Sequence, residues 1–517
     1  MPHETSAPLH VREATPMGDS PPVPVSWQTL SKVLVVLGVI LRTIQFGRNP
    51  SMWHDEAALV LNVIQKGFTA LLGPLLHAEA APPLFLWLER AVVVSLGDGT
   101  YALRLIPYLA SCAMVVLMWI TARRLLDPQA TVWAVLLLAG SERLLWHSCE
   151  AKPYALDALL GLTIISLHEF SRSWELNRRL LVFILAAPLV IWLSFPGCFL
   201  YGGVLLVLFD DVRRKQSRLG WSWYGLLVLV VFAAFGGLFW GPIQAQRNVS
   251  MDNCWNHTFP DWQRPWLIPW WFAVSTVEVA DYCLRPLGGV LTGVALVGGF
   301  HLWRQGRRPL VILAAVPALL AAVAALLHAY PYTGARVMVY ALPGIVLLTA
   351  AGVRPLLAWV AAPHHPWSHW GRHTGRVFQW LVLVPLLAPM SLSLYRTAQP
   401  WPRADTAGAS AYVMAERRPE DAVVGNHWEY EYYFRHLGPA YHLMERWPDL
   451  KDSGERVWVV VTSRSAPERI TIIRSLLQDQ WEVATQREFS FTSVALLVRS
   501  DPDASALDSL RPLAPGE

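Results

Sequence analysis

Long uncharged runs dominate the pattern of apolar and polar positions along this chain. Runs long enough to cross a bilayer, about 17 to 25 residues, recur from Trp27 to the neighbourhood of Tyr395. They predict eleven spans, at about 27–46, 105–122, 130–147, 154–169, 180–194, 196–209, 221–241, 287–303, 309–328, 337–359 and 377–395. The run Leu180–Phe209 would be about 45 Å long as one helix, too long for a straight span. Basic clusters bracket it, so it reads as a hairpin of two short spans that turns near Ser194–Gly197. Leu84–Leu96 is too short to span and is interrupted by Glu89 and Arg90, which makes it an interfacial helix.

Basic clusters at Arg123–Arg124, Arg178–Arg179, Arg213–Lys215, Arg304–Arg308 and Arg372 with Arg376 mark the inner side. That puts the N-terminus in the cytoplasm and the stretch Met52–Phe68, with Asp55 and Glu56, in the first outer loop. An odd number of spans sends the C-terminal part outside. From about Trp401 the composition becomes that of a soluble module, with helical runs at Ala409–Arg417 and Pro467–Leu477 and strand-like runs at Val457–Thr462 and Ser493–Val498. The organisation expected is a disordered cytoplasmic tail (1–26), a transmembrane domain (27–396) and an extracytoplasmic domain (397–517). The fold class is an α-helical polytopic membrane protein of about eleven transmembrane helices, with a small C-terminal α/β domain.

Composition agrees: of 517 residues, 54% are hydrophobic and 15% charged, against about 25% charged in a soluble domain. A soluble globule is excluded. The net charge of +4 reports loop orientation, and no nucleic-acid partner is expected. The five cysteines show no metal spacing and suit small buried apolar roles. Cys254 and Cys283 share an outer loop, where a disulfide and two thiols are equally compatible. The 26 tryptophans cluster at span ends, as an interfacial belt does.

Three polar features fall on one membrane face: Asp55–Glu56, the segment Glu150–Asp157 and the turn Tyr330–Arg336. Lys152 and Arg336 there could hold a phosphate while Asp55 acts as a base toward a hydroxyl. The plainer alternative is that the acids stabilise a helix start and the arginine snorkels. His54 and His77 share the loop with the acids but lack diagnostic ligand spacing, so packing or substrate contact is preferred for both. The aromatics of Trp428–Tyr433, opening a helix, are expected to pack the C-terminal module rather than bind glycan.

Over residues 30–350 the chain resembles the polytopic glycosyltransferases that use polyprenyl-phosphate sugars (GT-C type), a group that includes the protein mannosyltransferases and the lipid A aminoarabinose transferases. The resemblance rests on Asp55-Glu56 ahead of Pro82-Pro83-Leu84-Phe85-Leu86-Trp87, similar to "HPPLYYWL", then on Arg104-Leu105-Ile106-Pro107, Arg123-Arg124-Leu125 and Glu150-Ala-Lys-Pro-Tyr-Ala-Leu, similar to "REARxYAL". The turn before Arg336 is similar to the family's "P-aromatic-x-x-R" element. Lys152 stands where arginine is more usual, and Ala81 replaces the histidine before the prolines.

The resemblance implies an outer-face transferase with Asp55 as the catalytic carboxylate and Glu56 in support. Lys152, Tyr154, Asp157, Arg336, Tyr332 and Arg42 are the positions it implies near the donor phosphate. It implies a polyprenyl-phosphate sugar as donor and a lipid, glycan or protein as acceptor. Some relatives use a divalent cation, which leaves a metal open here. The competing classes are a transporter or flippase of lipid-linked substrates, against which the absence of a visible internal repeat counts, and a non-catalytic scaffold displaying the C-terminal module.

Overall fold

The computed structural model describes residues 25–360, 372–447, 455–477 and 481–500; the tail expected at 1–26 lies outside them but for its last two residues. Helices occupy the eleven predicted stretches, but 130–147 is divided into Pro128–Ala139 and Glu142–His147, broken at Gly140–Ser141 and too short to span as one straight helix. Seven helices are long and apolar enough to cross a membrane by length and composition, from Ser26–Arg48 to Trp380–Ala398. Tyr154–Ser171 and Gly197–Lys215 are of similar length but carry Asp157 and the pair Asp210–Asp211. The predicted hairpin is present as Leu176–Leu193 and Gly197–Lys215, joined through Ser194–Pro196.

The stretch from Pro242 to Arg285, expected as an outer loop, instead contains an apolar helix, Ile268–Cys283. With Pro265–Leu267 before it, this helix meets Gly288–Arg304 at a bend of 102°. Pro286 explains the break, because it lacks an N–H and disfavours helical geometry in the residue before it. Cys254 is exposed and Cys283 buried, and both are free thiols. Trp266 and Trp270 of this segment are about 70% exposed, as residues facing lipid or an interface would be.

Small residues allow the tightest helix crossing. A Cβ on Gly298 would lie 1.8 Å from Leu348 O, and one on Gly352 would lie 2.0 Å from Val294 O. Gly288–Arg304 and Leu342–Val360 therefore touch backbone to backbone, as membrane helices do where side chains are absent.

The C-terminal module is a five-stranded sheet of order β2-β1-β3-β5-β4, with β1 Ala422–Gly425, β2 Tyr441–Leu443, β3 Arg456–Thr462, β4 Trp481–Phe489 and β5 Thr492–Arg499. β1 runs parallel to β2 and β3, and β5 pairs antiparallel with β3 and β4. Alternate residues of β3 face opposite sides. Val457, Val459 and Val461 pack with Ile473 and Leu476 of helix Ala466–Leu476. Trp458 and Val460 pack with Ala409 and Val413 of Thr406–Glu416 and with Tyr430 and Phe434.

Helix Trp428–Tyr433 divides its aromatics between the module and the first loop. Tyr430 faces the sheet, whereas Trp428, Tyr432 and Tyr433 pack with Met52, Ala57, Val60 and Leu61 of the first loop. Helix His54–Gln65 thus lies between the C-terminal module on one side and Phe85 and Leu86 of helix Pro83–Leu96 on the other. Its unbroken apolar run Ala57–Leu61 suits burial on all sides. Arg90 of the neighbouring helix donates to Val63 O and Ile64 O at 3.0 and 2.9 Å, capping its C-terminal carbonyls.

Candidate functional site

The site is built around the first turn of His54–Gln65. Trp53 precedes it in extended conformation, and no side chain caps its free N–H groups. Asp55 and Glu56 therefore sit at the positive end of the helix dipole. One residue of helix turns a side chain by about 100°, so the two neighbours face different surroundings.

Glu56 points inward and is fully buried. Arg104 grips it with two parallel bonds, Nε to Oε1 at 2.9 Å and Nη2 to Oε2 at 2.7 Å. Ala151 N donates to Oε1 at 2.9 Å, and Arg403 Nη1 approaches Oε2 at 3.4 Å. The same Arg104 binds Asn49 Oδ1 and Pro50 O. Glu56 thereby ties the loop, the start of Leu105–Leu125, the Glu150 segment and the C-terminal linker together. A carboxylate so enclosed has no face for substrate.

Asp55 points the other way, with 16% of its side chain exposed. Arg336, first residue of the 3-10 turn Arg336–Ala341, is paired with it, and His54 Nε2 lies 3.4 Å away. The guanidinium of Arg336 also lies 5.8 Å from the Trp53 ring centre and 5.7 Å from that of Tyr154. Burial, helped by Arg336 and Lys152 and opposed by Asp55 and Glu79, holds His54 below the usual histidine range.

A second ion pair stands beside the first: Lys152 Nζ donates to Glu79 Oε1 at 2.7 Å. Glu150, two residues before Lys152, accepts from His147 Nδ1 at 2.5 Å. His147 Nε2 in turn meets the Tyr282 hydroxyl at 2.9 Å. Burial alone would raise the Glu150 carboxyl, but His147, Arg336 and Arg403 together hold it at about 2. Asp157 lies one turn below Tyr154 on the same helix and is 5% exposed, and its Oδ1 has no hydrogen-bond partner among the described residues.

Three positions implied by the resemblance are therefore gathered with Asp55: Arg336 by contact, Tyr154 through the arginine they share, and Lys152 through the field at His54. Two are employed elsewhere. Arg42 is fully buried and donates to Ser111 Oγ and to the carbonyls of Gly38, Leu138 and Ala139, so its guanidinium is a pin between membrane helices and offers nothing to a phosphate. Tyr332 is 2% exposed, bonds Thr276 at 2.9 Å and stacks on Phe272. His77 turns to the C-terminal module, pairing with Glu431 at 3.1 Å and lying tilted against Trp428, with ring centres 4.8 Å apart.

Sequence reasoning missed Glu79, Arg104 and Arg403 as site builders. Arg403 lies 4.1 Å over the Trp146 ring and donates to Ser51 O. Among the described residues no group of three or more His, Cys, Asp or Glu side chains could hold a metal ion.

The C-terminal module roofs the cluster. Tyr433 Oη accepts from Met52 N at 2.9 Å, Thr406 Oγ1 donates to Met52 O at 3.2 Å, and Arg435 pairs with Asp98 at 2.7 Å. The His427 ring lies 6.2 Å from that of His54.

No family model matches the chain, and no curated protein matches it by sequence. In structure it is similar to ArnT from Cupriavidus metallidurans in the apo state, at 14% identity and a TM-score of 0.51, over 90% of this chain and 98% of that one. It is similar likewise to ArnT from the same organism bound to undecaprenyl phosphate, at 13% identity and a TM-score of 0.51, over 92% and 98%. At such identities the likeness concerns the fold, and it agrees with the resemblance read from the motifs. The chain is a membrane protein with the polytopic GT-C fold and a small C-terminal sheet domain.

Proposed function

We propose that this chain is an integral-membrane glycosyltransferase, moving a sugar from a polyprenyl-phosphate donor to a lipid, glycan or protein acceptor on the outer face of the membrane. On this reading the C-terminal domain is extracytoplasmic. The observation that carries the proposal is the partly open Asp55–Arg336 pair, flanked by Trp53 and Tyr154 and beside Lys152–Glu79. The undecaprenyl phosphate named with the second ArnT structure supports a lipid phosphate as the donor's carrier.

The chemistry is a direct displacement. The Asp55 carboxylate takes the acceptor hydroxyl proton, the acceptor oxygen bonds to the anomeric carbon, and the bond from that carbon to the phosphate oxygen breaks with inversion. Polyprenyl phosphate leaves with the bonding electrons. Arg336 and Lys152 meet its charge, each now held by a carboxylate that a phosphate can displace. When Arg336 turns to the phosphate, Asp55 is released to act as the base. Glu56 and Arg104 position it through the helix turn they anchor, and Asp157 contributes beneath Tyr154.

Asp55→Asn tests the reading with purified protein and a panel of polyprenyl-phosphate sugars. Transfer should fall by orders of magnitude while donor binding and thermal stability persist; undiminished transfer would exclude Asp55 as the base. A flippase of the same lipids would keep moving donor across vesicles in that variant.

A further inference from the structure

A cavity of about 520 Å³ opens at the other end of the membrane helices from Asp55. Helix Tyr154–Ser171 shows the separation: Tyr154 stands beside Arg336, and His168 lines the cavity about four turns on, some 21 Å along the axis. Six arginines line it: Arg172, Arg179, Arg213, Arg214, Arg307 and Arg308. Only Glu169, Asp210 and Asp211 oppose them there.

The acids are already committed. Asp211 pairs with Arg179 at 2.6 Å, Asp210 with Arg213 at 3.0 Å and Arg214 at 2.6 Å, and Glu169 with Arg172 at 3.4 Å. Arg307 and Arg308 have no acidic partner among the described residues; Arg307 donates to Leu125 O, and Arg308 lies 5.3 Å from the Trp303 ring centre.

Two independent features point to an anion. Arg179 is 6% exposed, yet its Nε and Nη2 have no hydrogen-bond partner among the described residues, and neither has Nε2 of His168, 4% exposed. The Arg179 N–H groups can only donate, and buried donors without acceptors are costly and rare, whereas the His168 nitrogen donates in one tautomer alone. The 19-residue helix Arg308–Leu326 also starts at this cavity, and no side chain caps its N-terminus. Pro309 has no N–H and Leu310 N is bonded to Arg307 O, so this helix end offers an anion chiefly the positive end of its dipole.

We propose that this cavity binds a phosphate group of net negative charge, carried by an anionic lipid headgroup or by a soluble phosphate ester. Basic pockets between membrane helices are suited to that chemistry. The site is separate from the Asp55 cluster and does not depend on the transferase reading.

The test uses the delipidated full-length protein in detergent, with binding followed by native mass spectrometry and calorimetry. The probes are short-chain phosphatidylglycerol, phosphatidylcholine and inorganic phosphate. Phosphatidylglycerol is expected to bind at least tenfold more tightly than zwitterionic phosphatidylcholine. The double variant Arg172→Gln/Arg308→Gln, which alters two exposed side chains, should lose at least tenfold in affinity with its melting temperature unchanged. Binding of phosphatidylglycerol but not inorganic phosphate identifies a lipid site; comparable binding of both identifies a soluble ester, and either outcome sustains a phosphate site. Equal affinity for the two lipids without phosphate binding, or full affinity in the double variant, overturns it.

Discussion

Asp55 and Glu56, joined by one peptide bond, are paired with different arginines: Asp55 with the partly exposed Arg336, Glu56 with the fully buried Arg104. Substitution should separate the two acids. Glu56→Gln leaves Arg104 buried without its counter-charge, a change that costs about 3–5 kcal/mol. A melting temperature in detergent should fall sharply, whereas Asp55→Asn should leave it near that of the unaltered protein. For catalysis the order reverses, with Asp55→Asn losing about 10²–10⁴-fold in transfer rate, the range of a positioned base.

Arg42→Ala should act on stability alone. It removes bonds to Ser111 and three carbonyls, and charged hydrogen bonds of this kind contribute about 1.5–3 kcal/mol each at most. Thermal unfolding is expected at lower temperature, with the dissociation constant for donor unchanged at a temperature where the variant is folded. Donor affinity reduced tenfold would contradict the placement of Arg42 as a pin.

Arg336→Gln should raise donor KM and lower transfer together, because it removes the charge that the proposed mechanism assigns to the phosphate in the ground state and in the leaving group. Salt dependence of donor binding offers a second readout, which should be shallower in the variant.

Glu429 gives the roof a pH response. Burial in the first place, with the charge of Asp55 adding, raises its carboxyl to about 7 from 4.5. The folded state therefore keeps a proton that the unfolded state has lost between these values, so stability falls as pH rises from 4.5 to 7 and levels off above. Hydrogen exchange in Trp428–Tyr433 should be slower at pH 5.5 than at pH 8 after correction for intrinsic rates. Glu429→Gln should remove that difference.

Gly352→Ala should disturb the crossing at Gly298. Its Cβ would fall 2.0 Å from Val294 O, and overpacking of a tight core costs about 1–3 kcal/mol. Comparison with Gly293→Ala, where a Cβ meets nothing within 4 Å, isolates the effect on the melting temperature.

The membrane helices were legible because lipid imposes a length and an apolar composition that any window of the chain displays. The hairpin at Ser194–Pro196 followed from charge at both ends of one long run. The helix Ile268–Cys283 was missed because its flanking prolines and tryptophans resemble a loop. At the site, Asp55 and Arg336 were found through motifs, but their pairing spans 281 positions, beyond any local pattern. Glu79 and Arg403 carry no local signal at all; each gains its place from a partner 73 or 347 residues distant. The bonding of Arg42 to Ser111 and three carbonyls was hidden for a related reason, since a buried cation satisfied in this way and one awaiting a phosphate look alike in sequence.

The clamp on Met52 has a consequence for biogenesis. Its N–H and C=O are held by Tyr433 and Thr406, more than 350 residues later, so the turn that carries Asp55 is framed only after the last membrane helix has been made and the chain beyond it has folded. Nascent or truncated chains would insert into the bilayer yet lack a finished Asp55 cluster. Contacts so distant in sequence also form late, which makes completion of the roof a natural checkpoint between insertion and the activity proposed above.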